Sequence, residues 1–97
     1  MRAIEAIALL RQRQAELERL GVQNLYLFGS TARGEARANS DVDLFFDHRR
    51  GEVGLYQLMD IKELASGILG RPADIMTRSS LHPVLRQEIE ASALRVF

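Results

Sequence analysis

Asp41 and Asp43 stand one residue apart at the head of "DVDLFFD", residues 41 to 47, where the apolar neighbours Val42, Leu44, Phe45 and Phe46 predict a strand. Residues two apart in a strand project to the same face, with Cα atoms roughly 6.5 Å apart. Two unpaired carboxylates at that range repel, and burial beside Phe45 and Phe46 would add a desolvation cost. A bound cation removes both problems. Carboxylate oxygens suit magnesium or manganese, and magnesium typically takes one or two protein carboxylates and fills its remaining positions with water and substrate phosphates. The pair therefore predicts a metal and phosphate site.

Gly29 and Ser30 supply a second half of such a site. They end the apolar run "VQNLYLF", residues 22 to 28, and ten residues separate Ser30 from Asp41. A strand that ends in Gly-Ser and turns into a helix presents backbone N–H groups and a hydroxyl to a terminal phosphate. "GSTARG" begins like a Walker loop, but Glu35 and Ala36 occupy the positions that need Lys and Ser or Thr, so an ordinary P-loop is excluded. Asp74, in the apolar stretch "ADIMT", is a candidate third carboxylate if its strand lies next to that of Asp41 and Asp43. Three aspartates would hold two cations roughly 4 Å apart, one on the attacking oxygen and one on the leaving pyrophosphate. Asp74 would then help deprotonate an attacking hydroxyl.

These residues need a scaffold. Ile4, Ile7, Leu10, Leu17 and Leu20 recur at helical spacing over residues 2–20, with Gly21 placed to end the helix. Residues 22–28 predict the first strand and 31–36 a short helix or turn. Residues 41–47 predict the second strand. Leu55, Leu58, Met59, Leu64, Ala65, Ile68 and Leu69 predict a long helix closed by Gly70 and Pro72. Residues 73–77 are a third strand. Ser80 is a candidate cap for a helix with Pro83 in its first turn, running to about residue 91, and "ALRVF" a candidate fourth strand. This alternation predicts an α/β fold, a small mixed sheet with helices packed against it, in one domain over residues 1–97.

Composition narrows the partners. The 97 residues carry 13 basic and 13 acidic side chains, so there is no net charge to track a nucleic-acid backbone, and long DNA or RNA is not an expected partner. With no cysteine, disulfides and thiolate metal sites are excluded. No run reaches membrane-spanning length and no secretory signal precedes the first helix, which predicts a cytoplasmic protein. A chain this short has no room for a second substrate lobe, so a large acceptor would arrive on another molecule.

Gly29-Ser30, a ten-residue gap, Asp41-Val42-Asp43 and the downstream Asp74 closely resemble the signature of the DNA polymerase β-like nucleotidyltransferase superfamily. The run "FGSTARGEARANSDVDLFF" is similar to its minimal nucleotidyltransferase branch, the MNT proteins of bacteria and archaea. The resemblance implies transfer of AMP from ATP to a hydroxyl with release of pyrophosphate. Carried over by position, Gly29 and Ser30 hold the triphosphate, and Asp41, Asp43 and Asp74 are the catalytic and metal-binding acids for two Mg2+ ions. Arg33 matches a basic position that meets phosphates. Thr31 stands where relatives often carry a longer or charged side chain, which bears on fine substrate contacts. Many MNT proteins are antitoxins of helical HEPN toxins, neutralising them by attaching AMP to a tyrosine, by masking them, or both. The resemblance therefore implies a HEPN-type partner. The alternatives are a non-catalytic antitoxin and a nucleotidyltransferase for a small molecule such as an aminoglycoside.

Each residue also has a plainer reading. Asp41 and Asp43 would serve as solubilising acids at a strand start, Asp74 as a surface partner of Arg71 or Arg78, and Arg33 as a surface charge. The segment "DHRRGE", residues 47 to 52, reads as a solvated connection, with His48, Arg49 or Arg50 over the nucleotide as the sharper alternative. His82 reads as a helix-start residue, not a metal ligand.

Overall fold

The computed structural model describes residues 1–49, 51 and 53–97. Four strands form one sheet in the order β3-β2-β1-β4, where β1 is Val22–Phe28, β2 Val42–His48, β3 Ala73–Thr77 and β4 Leu94–Arg95. β1 runs antiparallel to both β2 and β4, and β2 runs parallel to β3. A parallel pair cannot be joined by a tight turn. Helix α4, Leu55–Leu69, makes the crossover. The fold is the mixed α/β sheet expected.

One face of the sheet is covered. Leu25, Leu27, Val42, Leu44, Phe46, Ala73 and Ile75 pack there against Ala6, Leu10, Leu17, Ile61, Ala65 and Leu69 of the helices. These strand residues sit at alternate positions, so the period of two decides which side chains leave water. Intervening residues, Asp43 and Asp74 among them, point to the other face. Phe45 and Phe46 therefore part company: only Phe45 shares a face with Asp43, and it is buried under Tyr26 and Phe28, whose ring centroids lie 4.9 and 5.6 Å away.

Two links set the β2–β3 register. The Val42 amide donates to the Pro72 carbonyl at 3.1 Å, and the Ala73 amide donates to the Ser66 hydroxyl at 3.1 Å. Gly70 closes α4 in the left-handed conformation, φ 68°, and hands the chain to Pro72 and β3.

Several elements depart from the sequence reading. The first helix is two, α1 over Ala3–Gln12 and α2 over Gln14–Arg19, broken at Arg13 with φ −112° and ψ 20°. No Gly or Pro marks that break. Ile4, expected inward, is 68% exposed, and Ala6 takes the buried position instead. On α4, Leu55 and Met59 also face water while Ile61 is buried. The last helix starts late: Arg78–Ser80 form a 3-10 turn, and α5 spans Arg86–Ser92. Ser80 caps nothing, because its hydroxyl bonds that of Thr77 at 2.8 Å, and Leu81 is extended. The remaining helix, α3, covers Gly29–Ala32 and begins at the glycine. Among the described residues no helix is long and apolar enough to cross a membrane.

Candidate active site

Three chain segments meet on the open face of the sheet. Asp43 lies in register with Phe28 of β1 on one side and with Asp74 of β3 on the other. Neighbouring strands are about 4.8 Å apart and registered residues share a face, so Asp43 and Asp74 present their carboxylates side by side. Asp41 stands one residue before β2 and is exposed, as is Asp74, while Asp43 is half-buried. The long separation between residues 43 and 74 in the chain is closed by the crossover alone.

Gly29 follows Phe28 and adopts φ 75°, a region that only glycine enters freely. A side chain there would also collide with the Asp43 carboxylate, because an added Cβ falls almost on its Oδ2. Backbone and carboxylate thus touch at the point where the chain turns into α3. Ser30 is half-buried, and its carbonyl accepts the Glu35 amide at 2.8 Å, which folds the loop after α3 back on the turn.

Burial, first, and then the charges of Asp74 and Asp41 push the Asp43 carboxyl above its usual range, with Arg33 pulling the other way. The arrangement is a cluster of negative charge with too little positive charge beside it. Among the described residues neither Arg71 nor Arg78 pairs with Asp74: Arg71 donates to the Ala38 carbonyl at 3.3 Å, and Arg78 grips Asp47 and Glu90. The surface-pair reading of Asp74 finds no such pair. Residues 9–96 match the family described as the nucleotidyltransferase domain.

This chain belongs to the nucleotidyltransferase domain family.

Relatives agree with the match. Protein adenylyltransferase MntA of Thermococcus cleftensis is 35% identical over 79 residues, which cover 80% of this chain and 77% of the relative. A solved structure described as a candidate minimal nucleotidyltransferase is 34% identical, superposes with a TM-score of 0.73, and is covered to 93% by 91% of this chain. A tri-AMPylated Shewanella oneidensis HEPN toxin in complex with MNT antitoxin shares the fold, with a TM-score of 0.67 at 17% identity over 94% of this chain and 71% of that one.

Within the nucleotidyltransferase, the other residues singled out from sequence fall at different distances from the aspartates. Arg33 ends α3, is exposed, and pairs with Glu35 at 3.1 Å, yet its charge reaches Asp43. Thr31 is only 1% exposed, and its Oγ1 has no hydrogen-bond partner among the described residues, so its side chain belongs to the interior and not to the substrate surface. His48 ends β2, five residues and roughly 16 Å along the strand from Asp43. With Arg49 it lines a cavity of about 300 Å³ beside Val22 and Gln57, at the opposite end of the strand pair. Of the segment 47–52, Asp47 and His48 thus end β2 instead of forming a connection, His48 and Arg49 lie remote from the aspartates, and Arg50 and Glu52 lie outside the described residues.

The fit for a divalent cation rests on the donors. Among the described residues Asp43 and Asp74 are carboxylates without an ion-pair partner, set side by side, and their oxygens are the donor type that a hard cation takes; Asp41 adds charge at the strand mouth. Among the described residues no three carboxylates converge on one point as a preformed metal cluster. Magnesium does not need one, since it keeps water and phosphate oxygens in its shell.

Sequence reasoning missed the floor of this face. Arg78 packs its guanidinium 4.8 Å from the Tyr26 ring centroid and 5.0 Å from that of Phe45 while bonding Asp47 at 2.7 Å and Glu90 at 2.8 Å. The signal was present in part: Asp43, Phe45 and Asp47 alternate along β2, so they had to share a face. Nothing local pointed to Arg78 as their cover.

Proposed function

We propose that this nucleotidyltransferase is a protein adenylyltransferase: it transfers AMP from ATP to a hydroxyl, a tyrosine for preference, on a HEPN-type partner, and serves as that partner's antitoxin in the cytoplasm. The observation that carries the reading is the juxtaposition of Asp43 and Asp74 on parallel strands with the Gly29-Ser30 turn closed against Asp43. The names of the similar proteins, an adenylyltransferase MntA and an AMPylated HEPN toxin with its MNT antitoxin, support the choice of group and of acceptor.

In this reading the backbone at Gly29 and the Ser30 hydroxyl receive the triphosphate, and Arg33 adds positive charge at the edge of that site. The acceptor oxygen attacks the α-phosphorus, and the bond from that phosphorus to the pyrophosphate oxygen breaks. Pyrophosphate leaves with the bonding electrons. The hydroxyl proton passes to Asp74 and on to solvent, and the product is a phosphodiester between AMP and the acceptor. Asp41, Asp43 and Asp74 would hold magnesium ions, which would supply neutralisation of charge on the triphosphate and on the leaving group. Asp43 and Asp74 hold the reacting groups on the face of the sheet that they share with the Phe45, Tyr26 and Phe28 rings.

Transfer of label from ATP in a host-cell lysate with magnesium tests this reading. The α-phosphate label is expected to become fixed to one protein band, the γ-label to none, and Asp43→Asn to lose the band. If no label is fixed while a partner still co-purifies with the chain, the protein neutralises by binding alone.

A further inference from the structure

The sheet ends at β3, which pairs with β2 on one side only. In a parallel pair, alternate residues turn their backbone groups toward the neighbour and away from it. Because the Val42 amide takes the Pro72 carbonyl, the groups of Asp74 and Met76 face β2 and those of Ala73, Ile75 and Thr77 face outward. The Ala73 amide is already held by the Ser66 hydroxyl. Among the described residues the amides of Ile75 and Thr77, and the Ile75 carbonyl between them, have no backbone partner, so this edge is unpaired although the Ile75 side chain is buried, and the same strand carries Asp74 exposed on the catalytic face. An open edge of this kind is a template for one class of ligand, an extended polypeptide.

We propose that an extended segment of the acceptor protein adds to β3 as a fifth strand and so delivers its hydroxyl to the aspartates. This rests on the protein-transfer reading above. A residue paired opposite Asp74 lies on the same face about 4.8 Å away, and about 10 Å from Asp43, two strand spacings across the sheet. A tyrosine at that place has the length to carry its hydroxyl over Asp74 toward the phosphate site, whereas a serine stops short over β3. Main-chain hydrogen bonds supply affinity without demanding a sequence, and the position opposite Asp74 selects the acceptor.

Thr77 offers a clean test. Its φ of −75° and ψ of 154° suit proline, and its amide faces the open edge, so Thr77→Pro removes one edge donor without forcing the backbone. Thr77→Val keeps the amide and loses only the hydroxyl bonded to Ser79 and Ser80. Transfer is measured to the protein labelled in the lysate experiment and, separately, to N-acetyltyrosine amide, which cannot form a strand. Thr77→Pro is expected to raise KM for the protein acceptor roughly tenfold, the scale of one lost hydrogen bond, and to leave the small acceptor unchanged. Thr77→Val is expected to match wild type on both. Hydrogen exchange of the wild-type chain provides a readout independent of any variant: the Ile75 and Thr77 amides slow when the acceptor protein is added. Unchanged exchange at both amides, or full transfer to the protein by Thr77→Pro, overturns strand addition while leaving AMP transfer intact. A wild-type chain that labels neither acceptor overturns the transfer reading itself, and this inference with it.

Discussion

Gly29 and Asp43 occupy each other's space: the turn that begins α3 closes so tightly on β2 that a single added carbon at Gly29 would fall on the Asp43 carboxylate. The glycine is thus required twice, by its φ of 75° and by its neighbour. Gly29→Ala is expected to destabilise the fold by about 1–3 kcal/mol and to abolish transfer, as read by denaturant unfolding and label incorporation. Adding Asp43→Ala should return part of the stability. The Asp43 Cβ would still lie 3.2 Å from the new carbon, so recovery is incomplete. A double-mutant cycle with no coupling between the two positions would separate them.

Asp43 is held above the usual carboxylate range, first by burial and then by Asp74 and Asp41. A raised folded-state value means that its contribution to stability is present below the unfolded value and is lost as pH rises through the folded one. Carbon-13 titration of the metal-free, nucleotide-free chain should place the Asp43 midpoint above that of an ordinary aspartate, with Asp74→Asn lowering it and Arg33→Ala raising it. Asp43→Asn should accordingly be more stable than wild type at pH 7. The gain stays below about 1 kcal/mol because the group is half-exposed and screened, which corresponds to a rise in Tm of up to roughly 6 °C.

Under the proposed transfer, Asp74 takes the acceptor's proton. Asp74→Asn keeps the shape of the side chain and the register of β3, so it should lower kcat roughly 10²- to 10⁴-fold with the fold unchanged by circular dichroism. Steady-state kinetics would show otherwise if kcat were retained and only the KM for ATP rose.

Arg78 clamps the 3-10 turn and α5 onto the sheet through Asp47, Glu90 and the rings of Tyr26 and Phe45. Asp47 hydrogen bonding, above all, raises its already high pKa, so it stays charged throughout the accessible pH range. Arg78→Ala should cost about 1–3 kcal/mol in urea unfolding, and Arg78→Lys should recover only part, since an ammonium cannot fork onto Asp47 while lying flat on two rings. Arg86, first, and Arg78 hold the Glu90 carboxyl below its usual range, so this contribution is present above the unfolded value and lost as acid takes pH through the folded one. Amide exchange in α5 should therefore speed up on acidification before the sheet does.

The chain written out already carried its strands and its acids. β1 and β3 coincide with the runs "VQNLYLF" and "ADIMT", because a short burst of branched and aromatic residues bounded on one side by Gly29 or Pro72 has few other uses. That Gly29 turns the chain after β1 and that Asp43 lies in β2 on the face opposite Val42 and Leu44 were legible from residue types and spacing alone, since a strand period of two and a glycine turn are local rules. The break at Arg13 and the late start of α5 were not legible. For α5 the reason is partly local, since the Ser80 hydroxyl is taken by Thr77 three residues back, and partly distant, since Arg78 is held by Asp47 and Glu90. Only tertiary structure could decide that Asp74 stands beside Asp43. Thirty residues separate them, and their meeting depends on a parallel register set by the Val42 amide and by Ser66 at the end of a crossover helix. Strand pairing is a choice among distant partners, made by the whole core at once, and a single segment of sequence does not contain it.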